Sequence, residues 1–387
     1  MDLALSENQE ILKTMARKFL TGKLPKASIK QMEESETGYS QHLWQEMSQL
    51  GWMGLPFPEE YFGSNMTFLD LSFLLEEMGR ACLPGPYIPT VILGGLTMLE
   101  IGSDGQKTKF LPEIASGRLI FTLALTEAND KYFASAIKTQ AAADGNEYVI
   151  NGTKLFVPYA HVADYMLCVA RTNDRSDPES ALTIFILDSR SPGIDITVLS
   201  SIANDKLCEV AFNNVRVPKD NILGEPGQGW PAIKNSVEQA AVAKCCEMVG
   251  YIEAVLDMTV NYAKERKQHN RPIGSFQAIQ HYCADMATDV DSTRLATYQA
   301  AWMISEELPC TREVSIAKAW AGESCQRVIA LAHQIHGAIG ITMDHDLHYY
   351  TRRVKAAEIA FGDAKFFREL ISQELEPVTA VSGVIQE

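Results

Sequence analysis

The chain has 387 residues, 46% of them hydrophobic and 21% charged, with a formal net charge of −15. Such a chain can bury a substantial core in two or three domains, and its acidic balance excludes non-specific nucleic-acid binding, which needs a concentrated basic surface. No apolar run is long enough to span a bilayer, and the eight cysteines show no CxxC and no histidine at metal-ligand spacing, so no metal site is expected.

The N-terminal stretch MDLALSENQEILKTMARKFL lacks the apolar core of a signal peptide. It reads as a capped helix, with Ser6 at the N-cap and Ile11, Leu12, Met15 and Phe19 as its apolar stripe. With scattered cysteines read as small buried thiols, a reducing cytoplasm is the expected location. Helical spacing continues to about residue 118 through SQHLWQEMSQLGWMGL and TFLDLSFLLEEMGRACL, with Gly and Pro between segments. From Leu119 the period changes to short runs rich in Val, Ile, Thr and aromatics: FTLALTE, EYVINGTKLFV, ADYMLCVART, LTIFILD, IDITVLS and CEVAFNNVRV. Asp144-Gly145 and Asn151-Gly152 give two type I′ hairpin signals bracketing one strand, which favours antiparallel pairing. After EPGQGW, residues 225 to 230, the helical period returns nearly to the end, with few breakers between 231 and 265. The expected fold is mainly α with inserted β: an N-terminal helical domain (1–118), a central antiparallel β-barrel-like domain (119–226) and a C-terminal four-helix bundle (227–387). A cleft where the β-domain meets the helices is a natural ligand site.

No P-loop is present and no GxGxxG follows a strand, so a Rossmann dinucleotide site is not expected. The chain offers instead LALTE (123–127), NGTKLFVP (151–158), ERKQHNRPIGSFQAIQ (265–280) and QIHGAIG (334–340). LWQEMSQLGWMGLPFPEEYFG precedes them, and NNVRVPKDNILGEPGQGW closes the β-region. In this order and frame the motifs resemble the acyl-CoA dehydrogenase flavoprotein family over essentially the whole chain. The resemblance implies an FAD at the junction of β-domain and C-terminal bundle, usually in a homotetramer. It places Leu125 and Thr126 at the strand end that contacts the isoalloxazine, and Phe156, Val157 and Pro158 at the flavin face. Arg266 and Gln277 match contacts to the flavin pyrophosphate across a subunit boundary. Gln334, Ile335, His336, Gly337 and Ala338 match a turn from a neighbouring subunit that lies along the cofactor. The residue types suit these roles: an arginine offers fixed donors to a diphosphate, and a small-residue turn lets backbone approach a phosphate closely. Taken alone, Arg266 reads as a solvated helix-end charge paired with Glu265 or Asp257.

Several positions depart from the family pattern. The usual Trp-Ile-Thr is Phe156-Val157-Pro158, so a hydroxyl is missing and Pro158 has no backbone N–H to give. His269-Asn270 replaces Phe-Gly, Ala338 replaces the second glycine of the turn, and Ala128-Asn129-Asp130-Lys131 replaces a Gly-Ser-Asp loop.

The family's reaction removes an α-proton from an acyl-CoA thioester with a carboxylate, which in most members precedes the Gly of a C-terminal Glu-Gly-Thr. Here that tripeptide is Phe361-Gly362-Asp363. Three acids are candidates to replace it. Glu358 lies among Lys355 and Lys365 and reads as a surface ion pair. Asp363 reads as the N-cap of the last helix, and the threonine of the family in its place touches the cofactor. Glu238 shares a helix face with Ala241, Val242, Cys245, Val249 and Ile252, with Lys244, Glu247 and Tyr251 opposite. A carboxylate there is a pocket residue, or else an exposed acid favoured by the helix dipole near the helix start. In the isovaleryl-CoA and long-chain branches the base is a Glu on this helix, in LERLVLA, and VEQAAVA matches it with Glu238. The resemblance therefore implies Glu238 as catalytic base and the Phe361 N–H as oxyanion donor. It also implies an electron-transfer flavoprotein as acceptor, and Phe361 in place of a carboxylate suggests a branched, cyclic or bulky acyl group. Two other readings stand beside it: a non-catalytic partner subunit in a heterotetramer, and a relative using its flavin for oxygenation or elimination.

Overall fold

Ser6 opens the first helix through a capping box, its Oγ accepting the Gln9 N–H at 3.3 Å while the Gln9 side chain accepts the Ser6 N–H at 2.9 Å. The computed structural model describes residues 5–128, 132–173 and 177–375, so the departures at Asn129, Asp130 and Lys131 lie outside the described residues. Helix α1 (Glu7–Lys23) is followed by α2 (Lys26–Glu34), α3 (Gln41–Gln49), α4 (Phe68–Arg80), α5 (Thr97–Ile101) and α6 (Asp104–Ala115). The buried face of α1 is Ala16 and Leu20, flanked by Leu12 and Phe19, whereas Ile11 and Met15 are 49% and 58% exposed. The expected stripe is thus rotated by about one position.

The change of period at residue 119 marks the start of the sheet: β1 (Phe121–Ala124), β2 (Gln140–Asp144), β3 (Glu147–Pro158), β4 (Tyr165–Arg171), β5 (Leu182–Asp188), β6 (Ile194–Leu199), β7 (Leu207–Pro218) and β8 (Ile222–Leu223). Its order is β6-β7-β3-β2-β4-β5-β8, with β1 beside β4. The sheet is open, not closed as a barrel, and it is mixed, because β1 and the Gln140 end of β2 run parallel to β4. The hairpin at 144 forms with Gly145 and Asn146 as its loop. Asn151-Gly152 makes no turn: it lies inside β3, where the register against β7 shifts. The Asn151 side chain is spent on Asn214 of β7, and Gly152 admits Thr139, whose Oγ1 would lie 2.5 Å from an added Cβ. The pair makes a bulge, not a turn.

Helix α7 (Gly229–Glu265) spans 37 residues. It leads into a small hairpin, β9 (Lys267–Gln268) and β10 (Arg271–Pro272), whose two loop residues His269 and Asn270 both have positive φ, 51° and 62°, as a type I′ turn requires. Then come α8 (Gln277–Ser305), α9 (Thr311–His336), α10 (Ala338–Ile341), α11 (Leu347–Ile359) and α12 (Ala364–Leu375). Helices α7, α8 and α9 pack on one another, α12 covers α9, and α11 crosses α7 and α9. No helix among the described residues is long and apolar enough to cross a membrane.

Between Ala240 and Ile252 every residue of α7 except Lys244 is buried. Glu247 and Tyr251, on the face opposite Glu238, are therefore inside as well, and α4 packs on α7 there. Two glycines make the crossing close: a Cβ on Gly250 would lie 2.0 Å from the Glu76 carbonyl oxygen, and one on Gly79 would lie 2.1 Å from that of Glu247. Gly250→Ala is expected to cost about 3 kcal/mol, the upper end for overpacking, since backbone cannot step aside as a side chain can. Its thermal midpoint should fall, whereas Gly105→Ala on α6, with nothing within 4 Å of the new Cβ, should hold or raise it.

Candidate active site

A cavity of about 420 Å³ lies where the sheet's loops meet α7, α9 and α12. Its wall is aromatic, with Tyr132 and Phe133 from the loop after β1, Trp230 at the start of α7, and Phe366 and Phe367 on α12. Glu238 enters this wall from the third turn of α7, with its side chain 16% exposed. It is too far along the helix for the dipole to account for it. The Thr311 hydroxyl at the start of α9 donates to Glu238 Oε1 at 2.8 Å, and Lys234 Nζ stands 3.9 Å away. Burial pushes the Glu238 carboxyl above the usual carboxylate range, opposed by the Thr311 hydrogen bond and Lys234 and helped by Glu374. The other two acids in the wall, Asp177 and Glu179, are exposed.

The turn between α11 and α12 stands against the same loop. Phe361 has φ 59° and Gly362 φ 111°, where an added Cβ would lie 2.5 Å from the Phe366 ring. The turn is held from below by Lys318 of α9, fully buried, whose Nζ donates to the carbonyls of Glu358 and Gly362, each at 2.7 Å. Lys318 makes no ion pair among the described residues, and burial lowers its ammonium pKa to about 8. The Phe361 N–H donates to Tyr132 Oη at 3.2 Å. The Phe361 ring is not among the side chains that line the cavity. Asp363 accepts the Phe366 N–H at 2.8 Å as the N-cap of α12, and Glu358 pairs with Lys355 at 2.9 Å.

Tyr132, Thr311 and Lys318 were not singled out by sequence reasoning. For Lys318 a signal existed: it sits among Val314, Ala317, Ala321 and Cys325, on the buried stripe of α9. Tyr132 gave none, because only folding brings it to residue 361.

The residues implied to hold FAD fall in two places. Leu125 and Thr126 follow β1 and are buried. The Thr126 hydroxyl donates to the Leu155 carbonyl at 2.5 Å, and the Leu125 carbonyl accepts Lys154 Nζ at 3.0 Å. Lys154 also meets Glu127 at 2.9 Å; burial raises the Glu127 carboxyl, but Lys154 and Thr139 outweigh it and hold it below its usual value. Phe156, at a bulge with φ 57°, is 49% exposed and offers its ring outward, while Val157 is buried and the Pro158 carbonyl accepts the Thr122 hydroxyl at 2.6 Å. This strand end offers an aromatic surface, and the Thr126 hydroxyl is committed to the chain itself.

The second place is the far end of α7. Arg266 closes that helix, exposed and without an ion pair among the described residues; Asp257 pairs with Arg80 instead. Gln277, exposed, is the first residue of α8, which has no side-chain cap. Gln334, Gly337 and Ala338 are exposed, with open space beside Gly337, whereas Ile335 and His336 are buried and the His336 ring stacks on Tyr262 at 4.5 Å. A free guanidinium, an amide and an open backbone turn suit a diphosphate. At 1.5 Å per residue Glu238 and Arg266 are about 40 Å apart along α7, so one chain does not bring them together. With Thr311→Val the Glu238 carboxyl loses its donor, and its pKa is expected to rise further, read from its infrared carboxyl band against Glu238→Gln; an unmoved pKa would remove Thr311 from the site.

The chain matches family models for the acyl-CoA dehydrogenase N-terminal domain over residues 6–118, the middle domain over 122–215 and the C-terminal domain over 227–376. It is 32% identical to a probable acyl-CoA dehydrogenase of Bacillus subtilis, over 97% of this chain and 100% of that one. Among solved structures it resembles butyryl-CoA dehydrogenase of Megasphaera elsdenii, at 28% identity and TM-score 0.90, covering 97% of this chain and 100% of that chain. It is also similar to a chain in the structure described as the electron transferring flavoprotein of Acidaminococcus fermentans, at 29% identity, TM-score 0.90 and the same coverage. Matched over all three of its parts, the chain belongs to the acyl-CoA dehydrogenase family of FAD-dependent oxidoreductases acting on acyl-CoA.

Proposed function

We propose that this chain catalyses the α,β-dehydrogenation of an acyl-CoA thioester with Glu238 as the base. The observation that supports it most is Glu238 itself, the largely buried carboxylate of the aromatic cavity, hydrogen-bonded by Thr311 and with a raised pKa. A base must be dry enough to hold a proton yet ionised when the substrate arrives, and a raised carboxyl meets both needs. The FAD of this family supplies the acceptor for the β-hydrogen, which leaves as hydride. The protein's own part is to exclude water, aim the α-carbon at Glu238 and meet the charge that develops on the carbonyl oxygen. A cavity of about 420 Å³ with aromatic walls suits a branched, cyclic or otherwise bulky acyl group. Similarity to a chain associated with an electron transferring flavoprotein supports that kind of protein as electron acceptor. The distance between Glu238 and Arg266 supports a homotetramer, in which the Arg266, Gln277 and Gln334–Ala338 face of one protomer completes the cofactor site of another. The strand-end contacts of Leu125, Thr126 and Phe156–Pro158 belong to that same site in this reading, with Asp363 near it. Eight free cysteines fit a reducing cytoplasm.

A second reading, a partner subunit that completes a neighbour's site without catalysing, is favoured by the committed Thr126 hydroxyl and the missing N–H at Pro158. A panel of straight, branched, cyclic and aromatic acyl-CoAs separates the two: in the first reading the yellow protein bleaches with a bulky member, in the second with none. Glu238→Gln should keep its flavin and bleach at least about 100-fold more slowly. Because the base works ionised, the wild-type rate should fall as pH drops through a value above the usual carboxylate range; full activity in Glu238→Gln would sink the assignment. Arg266→Ala should emerge from gel filtration depleted of flavin absorbance, and full retention would remove it from the cofactor site.

A further inference from the structure

The apolar part of the cavity wall is mostly of one kind. Tyr132, Phe133, Trp230, Phe366 and Phe367 line it, whereas Val237 and Leu370 are its only branched aliphatic side chains among the described residues. Phe366 is the hub of the aromatic group: its ring meets those of Phe367 at 5.1 Å, Phe133 at 5.3 Å and Tyr132 at 6.1 Å, each tilted or edge-on. The hub is also held in place. The Phe366 N–H donates to Asp363, and the ring takes the space that a side chain at Gly362 would need. Phe367 and Trp230 are buried. Aromatic faces and edges carry opposite polarity, so a further ring joins such a group at offset or edge-on angles.

We propose that the acyl group this cavity takes is aromatic, an arylalkanoyl chain, and that Phe366 and the rings around it set that preference. The proposal rests on the acyl-thioester reading above and narrows its bulky acyl group to one class. A thioester whose α-carbon meets Glu238 lies in the same space as these rings. Dehydrogenation needs hydrogen on both the α- and β-carbons, so 3-phenylpropanoyl is the simplest unbranched member of the class. A straight chain or a saturated ring also gains from burial here, in proportion to the apolar area covered. An aryl group alone adds the pairing of edge with face, because a saturated ring has no quadrupole to offer. Cyclohexyl is the more apolar of the two six-membered rings, so burial by itself ranks it above phenyl. Aromatic pairing reverses that order. Phe366 takes part in no bond that forms or breaks; its role is to choose the acyl group.

Unreactive thioethers of CoA read binding apart from turnover. S-(3-phenylpropyl)-CoA, S-(3-cyclohexylpropyl)-CoA and S-nonyl-CoA place the same number of carbons on sulfur and differ only in how those carbons are arranged and saturated. Titrated into the FAD-loaded protein in a calorimeter, the phenyl compound should bind about tenfold more tightly than the cyclohexyl one, the worth of one strong or two ordinary aromatic pairs. Phe366→Leu should lose most of that ratio while holding the cyclohexyl compound within about threefold. A merely structural role for Phe366 would weaken all three together and leave the ratio alone. Phe133→Leu, a change on the half-buried loop, should lower the ratio in the same direction and serves if Phe366→Leu does not fold. A phenyl-to-cyclohexyl ratio below about twofold in the wild type would overturn the proposal, as would an unchanged ratio in the variants, or a wild type that binds none of the three more tightly than CoA itself while still binding other acyl-CoAs. Failure of the wild type to bind any acyl-CoA would instead overturn the reading on which the proposal stands.

Discussion

Helix α7 rests on α4 with glycine facing backbone on both sides, Gly250 under Glu76 and Gly79 under Glu247, and the orientation of everything else along α7 follows. No side chain separates the two helices there, so the approach is set by main-chain atoms. Beside it sit three carboxylates, Glu76, Glu77 and Glu253, within 4.8 Å of one another. They are compatible only because Lys13, Arg17, Arg80 and Arg294 converge on them from α1, α4 and α8. A fulcrum of this kind holds angle as well as distance. Glu238 lies 12 residues before Gly250, about 18 Å along the same rod, and Arg266 lies at the other end.

That rod explains why the candidate site residues divide. The cavity end of α7 is enclosed by parts of the same chain: the loops of the sheet, the start of α9, and α12. The Arg266 end is open, with a guanidinium that has no ion pair among the described residues, the exposed start of α8 and the open turn at Gly337. Residues buried from Ala240 to Ile252 make α7 stiff, and stiffness keeps the two ends from meeting within one protomer. Separation here is a property of the fold, and it makes assembly part of the chemistry in the proposed reading.

Much of the local structure was legible in the sequence because it obeys short-range rules. Ser6 caps, Asp363 caps, and the change of period at residue 119 falls between α6 and β1. The helical face of Glu238 was also legible, since 3.6-residue spacing put it with Ala241, Val242 and Cys245. Reading failed where a partner distant in sequence decides. Asn151-Gly152 looked like a turn, yet Asn214 on β7 claims the Asn151 side chain and turns the pair into a bulge. Helical spacing put Glu247 and Tyr251 opposite Glu238, but it did not show that α4 would bury that face too. A barrel-like antiparallel sheet was expected; among the described residues the sheet is open, because its end strands β6 and β8 do not pair, and it is mixed, because β1 and the Gln140 end of β2 run parallel to β4. Tyr132 and residue 361 are 229 positions apart, and no local pattern connects them.

The turn at Phe361 carries one more consequence. What that position contributes is an amide, shaped by a φ of 59° and by a lysine pulling on two carbonyls underneath. Comparing side chains column by column would score residue 361 as a lost carboxylate. The constraint on it is instead one of backbone shape: proline is barred because it has no N–H, and β-branched residues are disfavoured by the positive φ. A position can therefore look vacated in an alphabet of side chains while remaining occupied in the main chain.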